Sequence, residues 1–220
     1  MSTAGPSPSL APTNAPPPTA SPPTGTEELA QTEEWGSYTT DQGRVTFGLP
    51  PGWTVEEEIA TTADSADGGQ ERLIARIYDS DYLRLTFANW PAEEDPACDS
   101  PAPYVTLDWR PLTFESAERD HSGAVSPRAV FRAVQVENGW LTSLGITDTI
   151  AGAGGTTCSL PNSLTPKSWT EPIYFGYPLI AHSRNGLTVP TLDHARAYIG
   201  TPHYEENMAV LTSLTINDAP

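Results

Sequence analysis

From Arg44 onward apolar and polar residues alternate. Val45, Phe47 and Leu49 share one parity and Arg44 and Thr46 the other, which predicts a half-buried strand. Pro50-Pro51-Gly52 bends the chain, and Trp53 and Val55 resume the alternation into Glu56-Glu57-Glu58. After the polar turn Asp64-Ser65-Ala66-Asp67-Gly68-Gly69, the run Leu73-Ile74-Ala75-Arg76-Ile77-Tyr78, the tight Asp79-Ser80-Asp81 and the strand Leu83, Leu85, Phe87 predict a hairpin. Val105, Leu107 and Trp109 alternate against Thr106, Asp108 and Arg110, giving one more strand with a single buried face. Asn138-Gly139 is the strongest turn signal and joins residues 130–136 to 140–146. A further hairpin is expected to turn at Arg184-Asn185-Gly186, between residues 173–182 and Leu187-Thr188-Val189.

Near the end the period changes to that of a helix. Thr191 caps a short helix carrying Ala195, Tyr198 and Ile199 and stopped at Gly200. Thr201-Pro202 opens another, with Glu205-Glu206 near its positive end and an apolar stripe of Tyr204, Met208 and Leu211 flanked by Val210 and Leu214. Thr26-Glu27-Glu28-Leu29 predicts a short helix ending at Trp35-Gly36. The sum is an α+β class: a central antiparallel sheet of about six to eight strands sandwiched by a few helices.

The first 25 residues carry eight prolines and no charge, with almost nothing larger than Leu10 to bury. Ordering a backbone costs roughly 1–2 kcal/mol per residue, so residues 1–25 are expected to be a disordered tether and 26–220 a single globular domain. A tether implies an anchor. The chain carries no apolar run of transmembrane length, and Met1-Ser2-Thr3 lacks the basic and apolar regions of a signal peptide, so any export signal is expected to have been removed.

Two stretches resemble a known family. Trp35 and Tyr38, followed by residues 41–53 with Phe47, Pro50, Gly52 and Trp53 in a Phe-x-x-Pro-x-Gly-Trp pattern, are similar to the start of PsbP-like α/β sandwiches, including exported actinobacterial lipoproteins of the LpqN type. Tyr204 through Ser213-Leu214-Thr215-Ile216 is similar to their last helix and short terminal strand. The match covers both ends of the folded part, about a third of it, and leaves the middle unmatched. It implies a central antiparallel sheet sandwiched by helices and a non-catalytic role in binding or assembly, and it transfers no site. A processed lipoprotein begins with a lipidated cysteine before small residues and a linker; Met1 stands at that place here, before Ser2-Thr3-Ala4-Gly5. A cleaved secretory signal without lipid is the alternative.

Composition narrows the partners. Eleven basic against 28 acidic residues give a net charge of −17, which argues against nucleic acid and against an anionic membrane surface. Membrane contact is expected only through an N-terminal lipid anchor outside this chain, and the domain is expected to be a monomer. The two cysteines, Cys98 in an acidic, Pro-rich segment and Cys158 in a Gly-rich one, are expected to form a disulfide, with two unpaired thiols as the alternative. No CxxC or His-x-x-x-His spacing accompanies them, so neither a metal nor a cofactor is expected.

Catalytic patterns are weak. His121, His182, His194 and His203 are scattered, and Ser122 lacks the Gly-x-Ser-x-Gly elbow of a nucleophile, so catalytic residues and an enzymatic role are not assigned; an extracytoplasmic hydrolase is the alternative. Asp64, Asp67 and Glu71, or Asp79 and Asp81, offer oxygen ligands to calcium without EF-hand spacing. Glu93-Glu94-Asp95 reads as a solvated loop. Aromatic residues at both parities of the segment 169–178 make Trp169, Tyr174 and Tyr177 a candidate ligand groove, either covered by a helix or open to a partner. The expectation is an extracytoplasmic, cell-surface or secreted bacterial envelope protein with a binding or accessory role towards a protein or cell-wall partner. A calcium- or carbohydrate-binding module is a further alternative.

Overall fold

Strand pairing realises most of this alternation. The structure, a computed structural model, describes residues 34–61, 71–89, 100–117, 123–150, 155–158, 160, 162–177 and 188–217. Strands β1 (Gly36–Thr40) and β2 (Val45–Leu49) form a hairpin. Next come two antiparallel meanders. In the first, β3 (Trp53–Thr61), β4 (Glu71–Asp79) and β5 (Tyr82–Ala88) pair in sequence; in the second, β6 (Ala102–Pro111), β7 (Ala124–Val136) and β8 (Gly139–Thr149) do. The short β9 (Thr156–Thr157) lies on β6 and β10 (Ser163–Leu164) on β11 (Ile173–Tyr177). After β12 (Thr188–Val189) come helices α1 (Leu192–Tyr198) and α2 (Pro202–Thr212), and β13 (Thr215–Ile216) closes a small sheet in the order β1-β2-β13.

The large sheet runs β3-β4-β5-β11-β8-β7-β6-β9, so among the described residues β11 is the strand that joins the two meanders. One of its edges pairs with β5 (Phe175 opposite Phe87) and the other with β8 (Gly176 opposite Gly145). Its parity divides the molecule. On one face Phe175 packs against Phe87 and, across the layer, against Phe47 of β2, with ring centroids 6.0 and 5.2 Å apart. The same face of β7 carries Phe131, which meets Tyr198 and Tyr204 at 5.7 and 5.5 Å, so the helices cover the second meander as the small sheet covers the first. Tyr204, Met208 and Leu211 are fully buried there, the stripe read from the sequence. Thr191 and Thr201 cap the helices, each accepting from the backbone N–H three residues on.

The opposite face of β11 is polar yet closed. Gly145 and Gly176 leave room for Asn162, whose side chain fills the space above both: a Cβ on Gly145 would lie 2.3 Å from Asn162 Cγ. Asn162 Oδ1 accepts from Ser143 Oγ at 3.0 Å and from Arg132 Nη2 at 2.9 Å, while its Nδ2 donates to Tyr174 Oη and to the Tyr177 carbonyl, both at 3.4 Å. Burial pushes the Arg132 guanidinium down to about 10 and the Tyr174 phenol up.

Several expectations are corrected. The α+β class stands in its coarse form, but among the described residues the large sheet has ten strands and both helices lie on the face that the small sheet also covers. β11 and β12 do not form a hairpin: both pair with β8, at Gly145–Leu144 and at Leu141–Trp140. Trp109 is not inward but half exposed, because a bulge between Thr106 and Asp108 takes up Leu107 and reverses the parity. Asp108 thereby turns towards Tyr204 and accepts its hydroxyl at 2.6 Å. Trp35-Gly36 leads into β1 rather than closing a helix, and residues 26–33, where that helix was expected, lie outside the described residues, as do 1–25.

The β8–β11 seam is a close backbone approach in the interior of the large sheet. A Cβ on Gly176 would lie 2.5 Å from the Leu144 carbonyl oxygen, whereas one on Gly36 meets nothing nearer than 3.6 Å. Gly176→Ala is therefore expected to cost about 3 kcal/mol in urea unfolding and Gly36→Ala less than about 0.5.

Candidate functional site

The β1–β2 hairpin turns through Asp41, Gln42 and Gly43 at φ values of 54°, 56° and 90°. Gly43 adopts this left-handed region freely and aspartate tolerates it, but Gln42 does so against a cost of roughly 1 kcal/mol. The surroundings hold the turn in place. Asp41 is buried; its Oδ1 accepts from Asn89 Nδ2 at 2.8 Å, and its Oδ2 lies 2.7 Å from Arg44 Nη2 in an ion pair without hydrogen-bond alignment. Asn89, one residue past β5, also ties itself to β4: its Oδ1 accepts from Leu73 N–H at 2.8 Å and its own N–H donates to the Leu73 carbonyl at 3.3 Å. One carboxamide thus splices the turn to the first meander.

Glu57 of β3 stands at the same place. It accepts from Thr40 Oγ1 and from the Tyr38 hydroxyl. Burial chiefly, and then the charge and hydrogen bond of Glu57, push the Tyr38 phenol up to about 12. Both donors are neutral, and no cation pairs with Glu57 among the described residues. Arg44 is held from a second side, its guanidinium 4.2 Å over the ring of Trp169.

Between these groups is an open cleft of about 180 Å³, with Leu73 and Ile59 as apolar walls and Asp41, Gln42, Arg44, Glu57 and Asn89 as its polar ones. A shallower cleft of about 280 Å³ lies by Phe114, Pro166 and Ile216, but its charges are the exposed pair Lys167–Glu115. The first is the better candidate because its polar groups are buried or preorganised. Asp41 is already paired and Glu57 is not, so the cleft suits a ligand that brings donors or a positive charge. Strained backbone at Asp41 and Gln42 adds weight, since such residues persist only where surrounding contacts hold them.

The residues expected to form a groove are not brought together. Trp169 lies under Arg44 and packs on the core, Tyr174 is buried beneath Asn162, and Tyr177 faces the other side of β11. A strand with aromatics at both parities is here covered on both faces. Cys158 is exposed just after β9, while Cys98 lies outside the described residues, so the cross-link stays a proposal. His121, Ser122, His182, Asp64, Asp67 and Glu93-Glu94-Asp95 also lie outside them. Asp79 is engaged by Arg84, which also approaches His203 Nδ1 at 3.0 Å, and His194 Nδ1 sits 2.8 Å from the capping Thr191.

No protein-family model, curated protein or solved structure matches the chain. The site must therefore be read from its own chemistry. Sequence reasoning missed Asp41, Glu57 and Asn89. Asp41-Gln42-Gly43 carried a turn signal, but nothing local marks Asn89, whose partners are 16 and 48 residues away.

Asn89→Ala leaves Asp41 Oδ1 and the Leu73 N–H without their partner and is expected to cost about 1–3 kcal/mol in chemical unfolding. A free tyrosine ionises near pH 10. Between that pH and about 12 the folded protein keeps the Tyr38 proton that the unfolded chain releases, so stability falls as pH rises through this window. Tyr38→Phe is expected to flatten the decline of the urea midpoint there, and Glu57→Gln to move one tyrosine ionisation down in an ultraviolet titration.

Proposed function

We propose that the protein is an exported, lipid-anchored protein of the bacterial cell envelope, whose single domain binds or assists a protein or cell-wall partner without catalysing a reaction. The domain is read as a PsbP-like sandwich, of which the coarse α+β architecture is in hand. The location rests on the charge-free, Pro-rich first 25 residues; among the described residues no helix is long and apolar enough to cross a membrane.

The binding role rests on one observation. Glu57 is a carboxylate oriented by two hydroxyl donors and left without a cation, at the mouth of a cleft whose other carboxylate is locked by Arg44 and Asn89. Fixed acceptors of this kind recognise a ligand that supplies ammonium, guanidinium, amide or hydroxyl donors.

Intact-mass measurement on the protein purified from its native cells tests the location. A diacylglyceryl cysteine at the mature N-terminus is expected, and an unlipidated N-terminus would move the protein to the secreted alternative; a mass about 2 Da below the reduced form would show the Cys98–Cys158 bond. Binding is tested by co-sedimentation with delipidated envelope from the same cells. The domain is expected to sediment and Glu57→Gln to do so several-fold less. A domain that stays in the supernatant would end the binding reading.

A further inference from the structure

The large sheet has two outer strands, and they are finished differently. β6 is blunted: Pro103 and Pro111 sit near its ends, a bulge interrupts it at Leu107, and β9 covers Ala102 and Pro103. β3 has none of these devices. Its nine residues pair with β4 in unbroken register from Trp53 opposite Asp79 to Thr61 opposite Glu71, with no proline, and among the described residues no strand lies on its far side. Such an edge offers a row of backbone donors and acceptors, which proteins usually hide.

Among the described residues, what protects it is charge. Glu56, Glu57 and Glu58 stand at its middle. A second copy pairing there would bring glutamate against glutamate, which disfavours self-association, while a strand bearing lysine or arginine would meet opposite charges. The net charge of −17 favours the same encounter. Around the three glutamates the surface is not uniformly polar: Ile59, of the same parity as Glu57, is 62% exposed and forms a wall of the cleft beside Leu73. Glu58, of the other parity, has Arg76 at 2.9 Å, whereas neither Glu57 nor Glu56 has a cation partner among the described residues, and of these two it is Glu57 that lines the cleft.

Resting on the binding reading above, we infer that the free edge of β3 docks an extended basic segment of a partner protein by strand addition. Backbone hydrogen bonds to β3 would supply affinity; a cationic side chain over Glu57 and an apolar one beside Ile59, both directed to the cleft, would supply selectivity. The opposite parity would place further cations near Glu56 and Glu58.

The full chain is titrated with acetyl-Val-Lys-Lys-Lys-Val-amide, whose order complements residues 55–59 in either direction, and β3 amide shifts are followed by NMR. Four comparisons accompany it: the triglutamate analogue, the peptide N-methylated at its odd positions, the peptide N-methylated at its even positions, and the Glu57→Gln protein. Expected are shifts along β3 with the lysine peptide, none with the glutamate peptide, loss of binding with one N-methylated form but not the other, and about tenfold weaker binding to Glu57→Gln. Equal binding of both N-methylated forms would reduce the contact to charge attraction and overturn strand addition, as would an unperturbed β3. An unperturbed β3 in a domain that still sediments with envelope would remove this inference and leave the binding reading; a domain that fails to sediment yet takes up the peptide along β3 would do the reverse.

Discussion

Among the described residues the two halves of the large sheet are paired through β11, and that strand can take its place because Gly145 and Gly176 face each other without side chains. Each meander is local in sequence and forms from neighbouring hairpins. Their union is not local: five residues, Ile173–Tyr177, must thread between strands that end far earlier in the chain. Loop closure of that kind is costly in entropy and has to be repaid by contacts made at the seam itself. On one side these are Phe175 with Phe87 and Phe47; on the other, Asn162 spans the seam and hydrogen-bonds Arg132 and Ser143 of the second meander and Tyr174 of β11.

A buried guanidinium is an expensive way to close a seam. Hydrophobic residues of similar volume often serve stability as well or better, so the network around Arg132 is better understood through geometry than through energy. Asn162 must satisfy acceptors and donors from β7, β8 and β11 together, and a slip of β11 by one residue would present Phe175 and Tyr177 to it instead of Tyr174 and Gly176. An apolar plug would tolerate that slip, whereas the carboxamide does not. The network therefore fixes the register in which β11 also delivers Phe175 to the small sheet, and hence where β2 and its strained turn sit over the first meander.

Much of this was legible wherever information is local. Alternation located β2, β3, β5 and the β7–β8 hairpin, and the capping threonines and the Tyr204 stripe located both helices. Parity failed at Trp109 because one bulged residue reverses it and leaves no compositional mark. The hairpin expected from residues 173–189 failed for a different reason: good turn residues and two apolar runs specify a reversal, not which strand each run pairs with, and β8 captured both. The cleft was least visible. Its parts come from the β1–β2 turn, β3, β4 and the end of β5, and their polar residues are ordinary in isolation. A glycine inside each of two apolar strands, at positions 145 and 176, was the one local sign of close backbone approach in the middle of the chain.

Charge connects the fold to its surroundings. The chain has few cations, and every one among the described residues is engaged: Arg44 on Asp41 and Trp169, Arg76 on Glu58, Arg84 on Asp79, Arg110 on Glu205, Arg128 over Trp109, Arg132 at Asn162, Lys167 on Glu115, Arg196 on Asp193, and Arg72 also with a partner. Most of these pairs are exposed and contribute little stability each. Their larger effect is to pin the positive charge inside local contacts, so that the unbalanced carboxylates set the field felt at a distance. The field of such a charge distribution opposes the approach of acidic surfaces and favours that of cationic ones. On such a surface Glu57 differs from the other acids in being oriented by Tyr38 and Thr40 in a cleft whose apolar walls are Ile59 and Leu73, which gives its charge a fixed direction.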